Sequence, residues 1–258
     1  MPDAVKTSSA SLRARVLAGD RLVGTFVQTP TPVVPELLGA LGVDFVCIDQ
    51  EHSAMGPETV QGLVAGAGVG GVPAVVRVAD AAGPYIAAAL DAGAAGVIVP
   101  RVSSAATAAG VVRSARYPPA GERGVGPGRA AGYGRTVASA LAGANETTLL
   151  GIQIETRAAL DALEEILAVD GIDLVFVGPG DLSASLGLEG GMQDPRLAAV
   201  VDDVLVRARA AGRAAGIFTL DLDAARGWRE RHVQFLVVGS DLAFLADGVE
   251  RAWSTLRR

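Results

Sequence analysis

The stretch Leu174-Val175-Phe176-Val177-Gly178-Pro179 runs directly into Gly180-Asp181-Leu182-Ser183-Ala184. A short apolar run rich in β-branched side chains reads as a strand, the Gly-Pro-Gly turn ends it, and Asp181-Leu182-Ser183-Ala184 reads as a helix start. The unit is strand, turn, helix.

Working outward, the same unit recurs. Eight runs share the character of the first: Val23-Gln28, Phe45-Asp49, Ala74-Val78, Gly96-Pro100, Leu149-Glu155, Leu174-Pro179, Ala214-Thr219 and Phe235-Gly239. Ala- and Leu-rich segments with polar edges separate them, among them Val33-Leu41, Glu58-Ala67, Ala158-Ala168 and Ala198-Ala211. Alternating strands and helices predict an α/β fold with a parallel sheet, and eight βα units predict closure into a (β/α)8 barrel. A doubly wound open sheet is the competing architecture, but it usually has fewer strands, and no G-x-G-x-x-G follows the first run. A length of 258 residues suits one such domain, preceded by a short polar tail to about residue 20. The segment Tyr117-Pro118-Pro119-Ala120-Gly121-Glu122-Arg123-Gly124-Val125-Gly126-Pro127-Gly128 is too rich in Gly and Pro for either element. It reads as a long functional loop between the fourth and fifth strands, with a purely structural surface loop as the competing reading.

Composition excludes several functions. The net charge of −6 is spread along the chain without a Lys/Arg run, so no nucleic-acid partner is expected. No apolar stretch approaches the roughly 20 residues of a membrane span, and Met1 to Asp20 lacks the apolar centre of a signal peptide. A cytoplasmic protein is expected. The single cysteine, Cys47, lies in Phe45-Val46-Cys47-Ile48 and reads as a core filler. The only lysine is Lys6, in the polar tail, which rules out a Schiff-base lysine deep in a pocket. The only histidines are His52 and His232, which sets aside zinc sites with two or three histidines drawn from one chain. Any metal would be held mainly by carboxylates, which favours magnesium, manganese or a similar oxygen-loving ion.

In a (β/α)8 barrel the residues at the strand ends meet in a cup formed by the βα loops, so polar residues there are the informative ones. The second strand ends Asp49-Gln50-Glu51-His52, the third carries Arg77, the fifth ends Gln153-Ile154-Glu155, the sixth leads to Asp181, and the seventh ends near Asp221. Glu155 and Asp181, on neighbouring strands, are placed to converge on one cation; a salt bridge for Glu155 and an N-cap for Asp181 are the competing readings. Arg77 suits an oxyanion, or else a structural ion pair in the barrel mouth. Gly178, Pro179 and Gly180 precede a helix start whose N–H groups suit a carboxylate or a phosphate. His52 is the proton-transfer candidate, following a strand and flanked by acids. His232 reads as a capping cation at a helix end, and Asp91, in Leu90-Asp91-Ala92-Gly93, as the polar end of the third helix.

These pieces in this order, Ile48-Asp49-Gln50-Glu51-His52, Arg77, Tyr117-Pro118-Pro119 through Gly126, Gln153-Ile154-Glu155 and Phe176 through Ser183, resemble the HpcH/HpaI class II pyruvate aldolases over about Val23 to Leu245. The resemblance implies reversible metal-dependent aldol cleavage or condensation, with pyruvate or oxaloacetate as enolate donor and an aldehyde as acceptor. It implies a divalent magnesium, manganese or cobalt ion on Glu155 and Asp181, no organic cofactor, His52 as acid–base group and Arg77 steadying the enolate. It further implies that Asp49 and Asp91 support the histidine, Asp91 within or across subunits, and that Gln153 lines the pocket. Gly178, Pro179, Gly180 and Asp181 would hold the 2-oxo acid carboxylate. It implies a homo-oligomer, commonly a hexamer built as a trimer of dimers with the last helix exchanged. Oxaloacetate decarboxylation and a citrate-forming condensation remain as alternatives on the same site, with a phosphate-binding isomerase or a non-catalytic binder further off. The residues that would select the aldehyde lie in loops such as Ser53-Pro57 and the Gly/Pro-rich segment, where no code is legible.

Overall fold

The computed structural model describes residues 10–231 and 233–257; the readings made for Lys6 and His232 lie outside the described residues. The chain runs α1 (Leu12–Leu17), β1 (Leu22–Val27), α2 (Val33–Ala40), β2 (Phe45–Asp49), α3 (Pro57–Val69), β3 (Ala74–Arg77), α4 (Gly83–Asp91), β4 (Gly96–Val99) and α5 (Ala105–Ala115). It continues with α6 (Val137–Thr147), β5 (Leu149–Ile154), α7 (Arg157–Asp161), α8 (Leu163–Leu167), β6 (Leu174–Val177), α9 (Pro179–Ser185), α10 (Pro195–Ala210), β7 (Ala214–Thr219), α11 (Leu222–Glu230), β8 (Phe235–Ser240) and α12 (Asp241–Leu256). The eight strands pair in parallel and in sequence order, and β1 closes the sheet by pairing with β8. The expected (β/α)8 barrel is the observed one.

The period of two along a strand sorts the side chains. Val46 and Ile48 of β2 face outward into the layer shared with the helices, while Phe45 and Cys47 belong to the interior cluster with Leu22, Phe26, Val75, Ile98, Leu149, Leu174, Phe176 and Phe235. The rings of Phe45 and Phe235 stack at 3.9 Å between centroids. A Cβ at position 24 would lie 2.5 Å from the Phe45 ring, so Gly24 of β1 leaves the space that this ring occupies. The barrel is therefore a filled core, not a pore. Cys47 is fully buried within it, and burial pushes its thiol up to about 12, which leaves it an inert filler.

Continuing the same period, Asp49 follows Cys47, Arg77 follows Val75, Gly178 follows Phe176, and Gln153 and Glu155 follow Leu149 and Gly151. The strand pattern that buries the core thus carries these polar residues to one end, just above its last apolar layer.

Three expectations need correction. The polar tail does not extend to residue 20: α1 begins at Leu12, capped by Ser11 Oγ, and Leu12 and Val16 pack into the interior cluster. Two apolar positions in a six-residue helix are too weak a periodic signal to announce it. The helix expected over Ala158-Ala168 is two short helices, broken where Ala162 takes φ −99° and ψ 12°. The Gly/Pro-rich segment follows α5 and not a strand, so within the chain it lies at the amino end of the barrel, away from the cup. Arg123 there pairs with Asp91 at the last turn of α4, at 2.5 Å, and Arg116 with the buried Asp173 that precedes β6, at 2.7 Å. Among the described residues no helix is long and apolar enough to cross a membrane.

Candidate active site

At the carboxyl end of the strands, Asp49 is fully buried and holds Arg77 by two hydrogen bonds, from Nε at 3.0 Å and Nη2 at 2.8 Å. Asp49 also accepts from Gln28 Nε2 at 3.1 Å and from the backbone N–H of His52 at 3.2 Å. Burial alone would raise the Asp49 pKa, but the hydrogen bonds and charge of Arg77, with help from Gln28 and the His52 N–H, outweigh it and hold the carboxyl below its usual range. Burial likewise works against the Arg77 charge and is outweighed by Asp49, so the guanidinium stays firmly protonated. Its carbon sits 4.3 Å above the Phe26 ring. The result is a cation fixed by a fork of hydrogen bonds and an aromatic floor.

Next to this pair stands a group of carboxylates that no cation holds by a hydrogen bond. Glu51 lies 3.5 Å from Arg77 Nε and 3.6 Å from Arg101 Nε, and Glu155 and Asp181 have no ion pair among the described residues. Glu51 is pushed up by burial and by the charges of Asp181 and Asp49, against the pull of Arg77 and Arg101. Glu155 is pushed up by burial and by the charges of Glu51 and Asp181, against its bonds to the Gln153 amide and the Arg101 N–H. The Asp181 carboxylate makes no hydrogen bond or ion pair among the described residues. Two buried acceptors, Glu51 Oε2 and Gln153 Oε1, have no hydrogen-bond partner among the described residues. Carboxylates crowded together with unmet acceptors form an anionic set that a divalent cation would relieve, and in that sense Glu155 and Asp181 fit the ion expected for them. Among the described residues no three His, Cys, Asp or Glu side chains form a complete ligand cluster. Two carboxylates would hold such an ion and leave room beside it for water and substrate.

The competing readings for these two residues fail on geometry. Among the described residues Glu155 pairs with no arginine side chain, since its partners are the Arg101 backbone N–H at 2.7 Å and the Gln153 side-chain amide. Asp181 is not a cap, because Gly178 occupies the N-cap of α9 and Asp181 lies in the first turn. The carboxylate cradle expected from Gly178 through Asp181 is narrower than the sequence suggested. The Gly178 N–H donates to Ile154 O at 3.3 Å and Pro179 has none, which leaves the first-turn N–H groups of Gly180 and Asp181.

His52 follows β2 at the rim, 46% exposed, with Nε2 3.8 Å from Glu51 Oε2. Asp49 touches the His52 backbone and not its ring, so its observed work is to orient Arg77. Asp91 ends α4 at the opposite end of the barrel, so within one chain it does not reach His52. Asp221 is the N-cap of α11, accepting from Asp223 and Ala224 N–H. A cavity of about 260 Å³ opens beside His52, Arg77 and Asp181, walled by Phe26, Phe176 and Phe218. Sequence reading missed Gln28 and Arg101. Both stand where a run ends, and the strand-end rule applied to the first and fourth runs would have found them.

A cup that joins a rigidly held arginine, an exposed histidine and strained carboxylates is the working end of a barrel enzyme. The chain belongs to the HpcH/HpaI aldolase/citrate lyase family, whose sequence profile matches residues 22–247. It is 39% identical over 237 residues to the hydroxypyruvate/pyruvate aldolase of Roseovarius nubinhibens, covering 92% of each chain. It is 36% identical over 249 residues to the 2-keto-3-deoxy-L-rhamnonate aldolase of Escherichia coli K12, covering 94% of this chain and 91% of that one. A crystal structure of an HpcH/HpaI aldolase/citrate lyase family protein from Burkholderia cenocepacia superposes with a TM-score of 0.90 at 32% identity, covering 96% of this chain and 99% of that one. The protein is a carbon–carbon lyase.

Proposed function

We propose that the enzyme catalyses reversible, metal-dependent aldol cleavage of a 4-hydroxy-2-oxo acid, with pyruvate or oxaloacetate as the enolate donor and an aldehyde as the acceptor. The observation that carries this reading is the buried Asp49–Arg77 pair set beside the carboxylates Glu155 and Asp181, which pair with no cation among the described residues. An enolate needs positive charge where its oxygen develops, and a cation that neither moves nor deprotonates supplies it without reorganisation. Relatives named as aldolases of hydroxypyruvate or pyruvate and of a 2-keto-3-deoxy sugar acid support the substrate class.

A divalent cation on Glu155 and Asp181 would supply Lewis acidity to the carboxylate and ketone oxygens of the 2-oxo acid. Arg77 donates to the ketone oxygen as it gains charge. The N–H groups of Gly180 and Asp181 face the substrate carboxylate, and Gln153 borders it. In the condensing direction His52 takes the C3 proton of the 2-oxo acid, the C3 electron pair bonds to the aldehyde carbon, and His52 returns the proton to the aldehyde oxygen; cleavage reverses each transfer. Phe26, Phe176 and Phe218 wall the pocket and limit the water that would quench the enolate.

We extend the reading to assembly. α12 has no buried residue and exposes Leu242, Phe244, Leu245, Val249, Trp253 and Leu256, an apolar face that a second copy of the chain would cover, in a hexamer built as a trimer of dimers. In such an assembly Asp91 would act on the His52 of a neighbouring subunit.

The deciding experiment is proton exchange. After chelation, addition of magnesium, manganese or cobalt should restore loss of the pyruvate methyl proton signal in heavy water, and E155Q should abolish it. Folded protein with no exchange under any of these metals would overturn the reading.

A further inference from the structure

Gln28 and Thr29 lie just past the last residue of β1, where the strand ladder no longer supplies partners for their N–H groups. Asp241, at the start of α12, takes both: Oδ1 accepts from the Gln28 N–H and Oδ2 from the Thr29 N–H, each at 2.9 Å. The end of β8 is built to aim this carboxylate. Pairing of β1 with β8 moves from Gly24–Val237 to Phe26–Ser240, so β8 carries one extra residue there, and Gly239 takes φ 61°. Such a bulge re-aims the chain that follows it. A Cβ at position 239 would also stand 2.9 Å from the Phe244 ring, so the turn and the packing of α12 over it both require glycine.

The side chain of Gln28 reaches the other way, into the cup. Its Nε2 donates to Asp49 Oδ2 at 3.1 Å, the same oxygen that accepts from Arg77 Nη2 at 2.8 Å. Among the described residues Asp49 Oδ2 has only these two partners. A continuous path therefore runs from Asp241 through the Gln28 backbone and amide to Asp49 and Arg77. Gln28 and Arg77 line the cavity, whereas Asp241 is outside its lining. Starting α12 does not require these bonds, because Ser240 Oγ already caps the helix by accepting from the Ala243 N–H at 3.2 Å. What they fix is the backbone of the residue whose amide supports Asp49. A donor lowers the cost of a developing oxyanion only if it is in place beforehand, and Arg77 is placed only as well as Asp49 is.

We propose that Asp241 is a positioning residue for Arg77: through the Gln28 backbone and amide it sets the rotation of the Asp49 carboxylate, and with it the place of the guanidinium. This rests on the aldolase reading above, in which Arg77 steadies the enolate, and adds to it a residue that touches no substrate.

The test follows pyruvate proton exchange in heavy water at saturating metal, a reaction without an aldehyde. D241A should lower the kcat of exchange by about tenfold or more while the KM of pyruvate stays within about twofold, because a contact that strengthens as charge develops acts on kcat. D241N, which keeps one acceptor, should fall between D241A and wild type. Q28M, similar in length but without the donor, should lose as much as D241A, and D241A with Q28M should be no slower than the slower single variant. Circular dichroism and light scattering check fold and mass, and where D241A is altered in either, D241N and Q28M carry the comparison. Wild-type kcat in Q28M or in folded D241A, losses that multiply in the double variant, or a loss carried by the KM of pyruvate would overturn the assignment. The two levels stay separate: normal wild-type exchange with undiminished variants removes Asp241 only, and absent wild-type exchange removes the aldolase reading.

Discussion

Gly178 and Glu155 approach so closely that a Cβ on Gly178 would stand 2.8 Å from Glu155 Oε2 and 3.2 Å from its Cβ. The glycine at the end of β6 is therefore a spacer for the carboxylate at the end of β5. G178A should displace the Glu155 side chain while the barrel, whose strands pair below this level, stays folded. A misplacement approaching 1 Å in a catalytic cup costs about 10²-fold, so kcat/KM should drop on that order with circular dichroism unchanged. Full activity in G178A would show that Glu155 has room to spare.

The Asp49–Arg77 pair predicts a second outcome. Removing one member of a buried ion pair strands the other, at about 3–5 kcal/mol, and D49N should approach the lower figure because its amide keeps the shape and one acceptor. The pH dependence follows in sign. The folded-state pKa of Asp49 is depressed below 3.8, so its contribution is present above that value and is lost as pH falls through the folded one. Urea unfolding from pH 7 to pH 3 should show D49N destabilised at neutral pH, with the gap to wild type closing in acid. A constant gap would place the pair's value elsewhere.

Much of this architecture is written in the strands. Phe45–Asp49 and Ala214–Thr219 fall where the apolar runs place them, and the other strands differ by one or two residues at their ends, because β-branched runs between Gly and Pro leave little freedom. The position of Asp49 and Arg77 was legible for the same reason: the period of two that buries Cys47 and Val75 lifts them to the mouth. What sequence did not show depends on three dimensions. The helix over Leu12–Leu17 matters because the barrel has an open end to close, and Arg101 matters because its backbone turns left-handed against Glu155. The Gly/Pro-rich segment looked like part of the cup because spacing along the chain does not say that α5 has already returned to the amino end.

Glu155 gives a third prediction, in which stability and function oppose each other. Its folded pKa is raised above 4.5, so the stability tied to this group is present below that value and is lost as pH rises through the folded one. At neutral pH the chelated enzyme therefore carries a buried carboxylate that it holds at a cost. E155Q should melt higher than wild type in chelator at pH 7 and lose that advantage near pH 4, while added magnesium or manganese should stabilise wild type and leave E155Q unmoved. Stabilisation of E155Q by metal equal to that of wild type would remove Glu155 from the ligand set.

Asp91 sits at the amino end of the barrel, joined to Arg123, while His52 sits at the carboxyl end, so a functional link between them requires a second chain. The proposed assembly then makes dissociation a test of that link. Charge placed on the exposed apolar face of α12, as in L245E with W253E, should shift the mass measured by light scattering toward the monomer and lower activity in step with dissociation. H52A and D91A should each be impaired alone, yet a refolded one-to-one mixture should recover activity. Random pairing places an intact His52 beside an intact Asp91 at about a quarter of interfaces, so recovery should approach that fraction of wild type. A mixture no more active than its components would mean that Asp91 serves only its own chain, as the partner of Arg123.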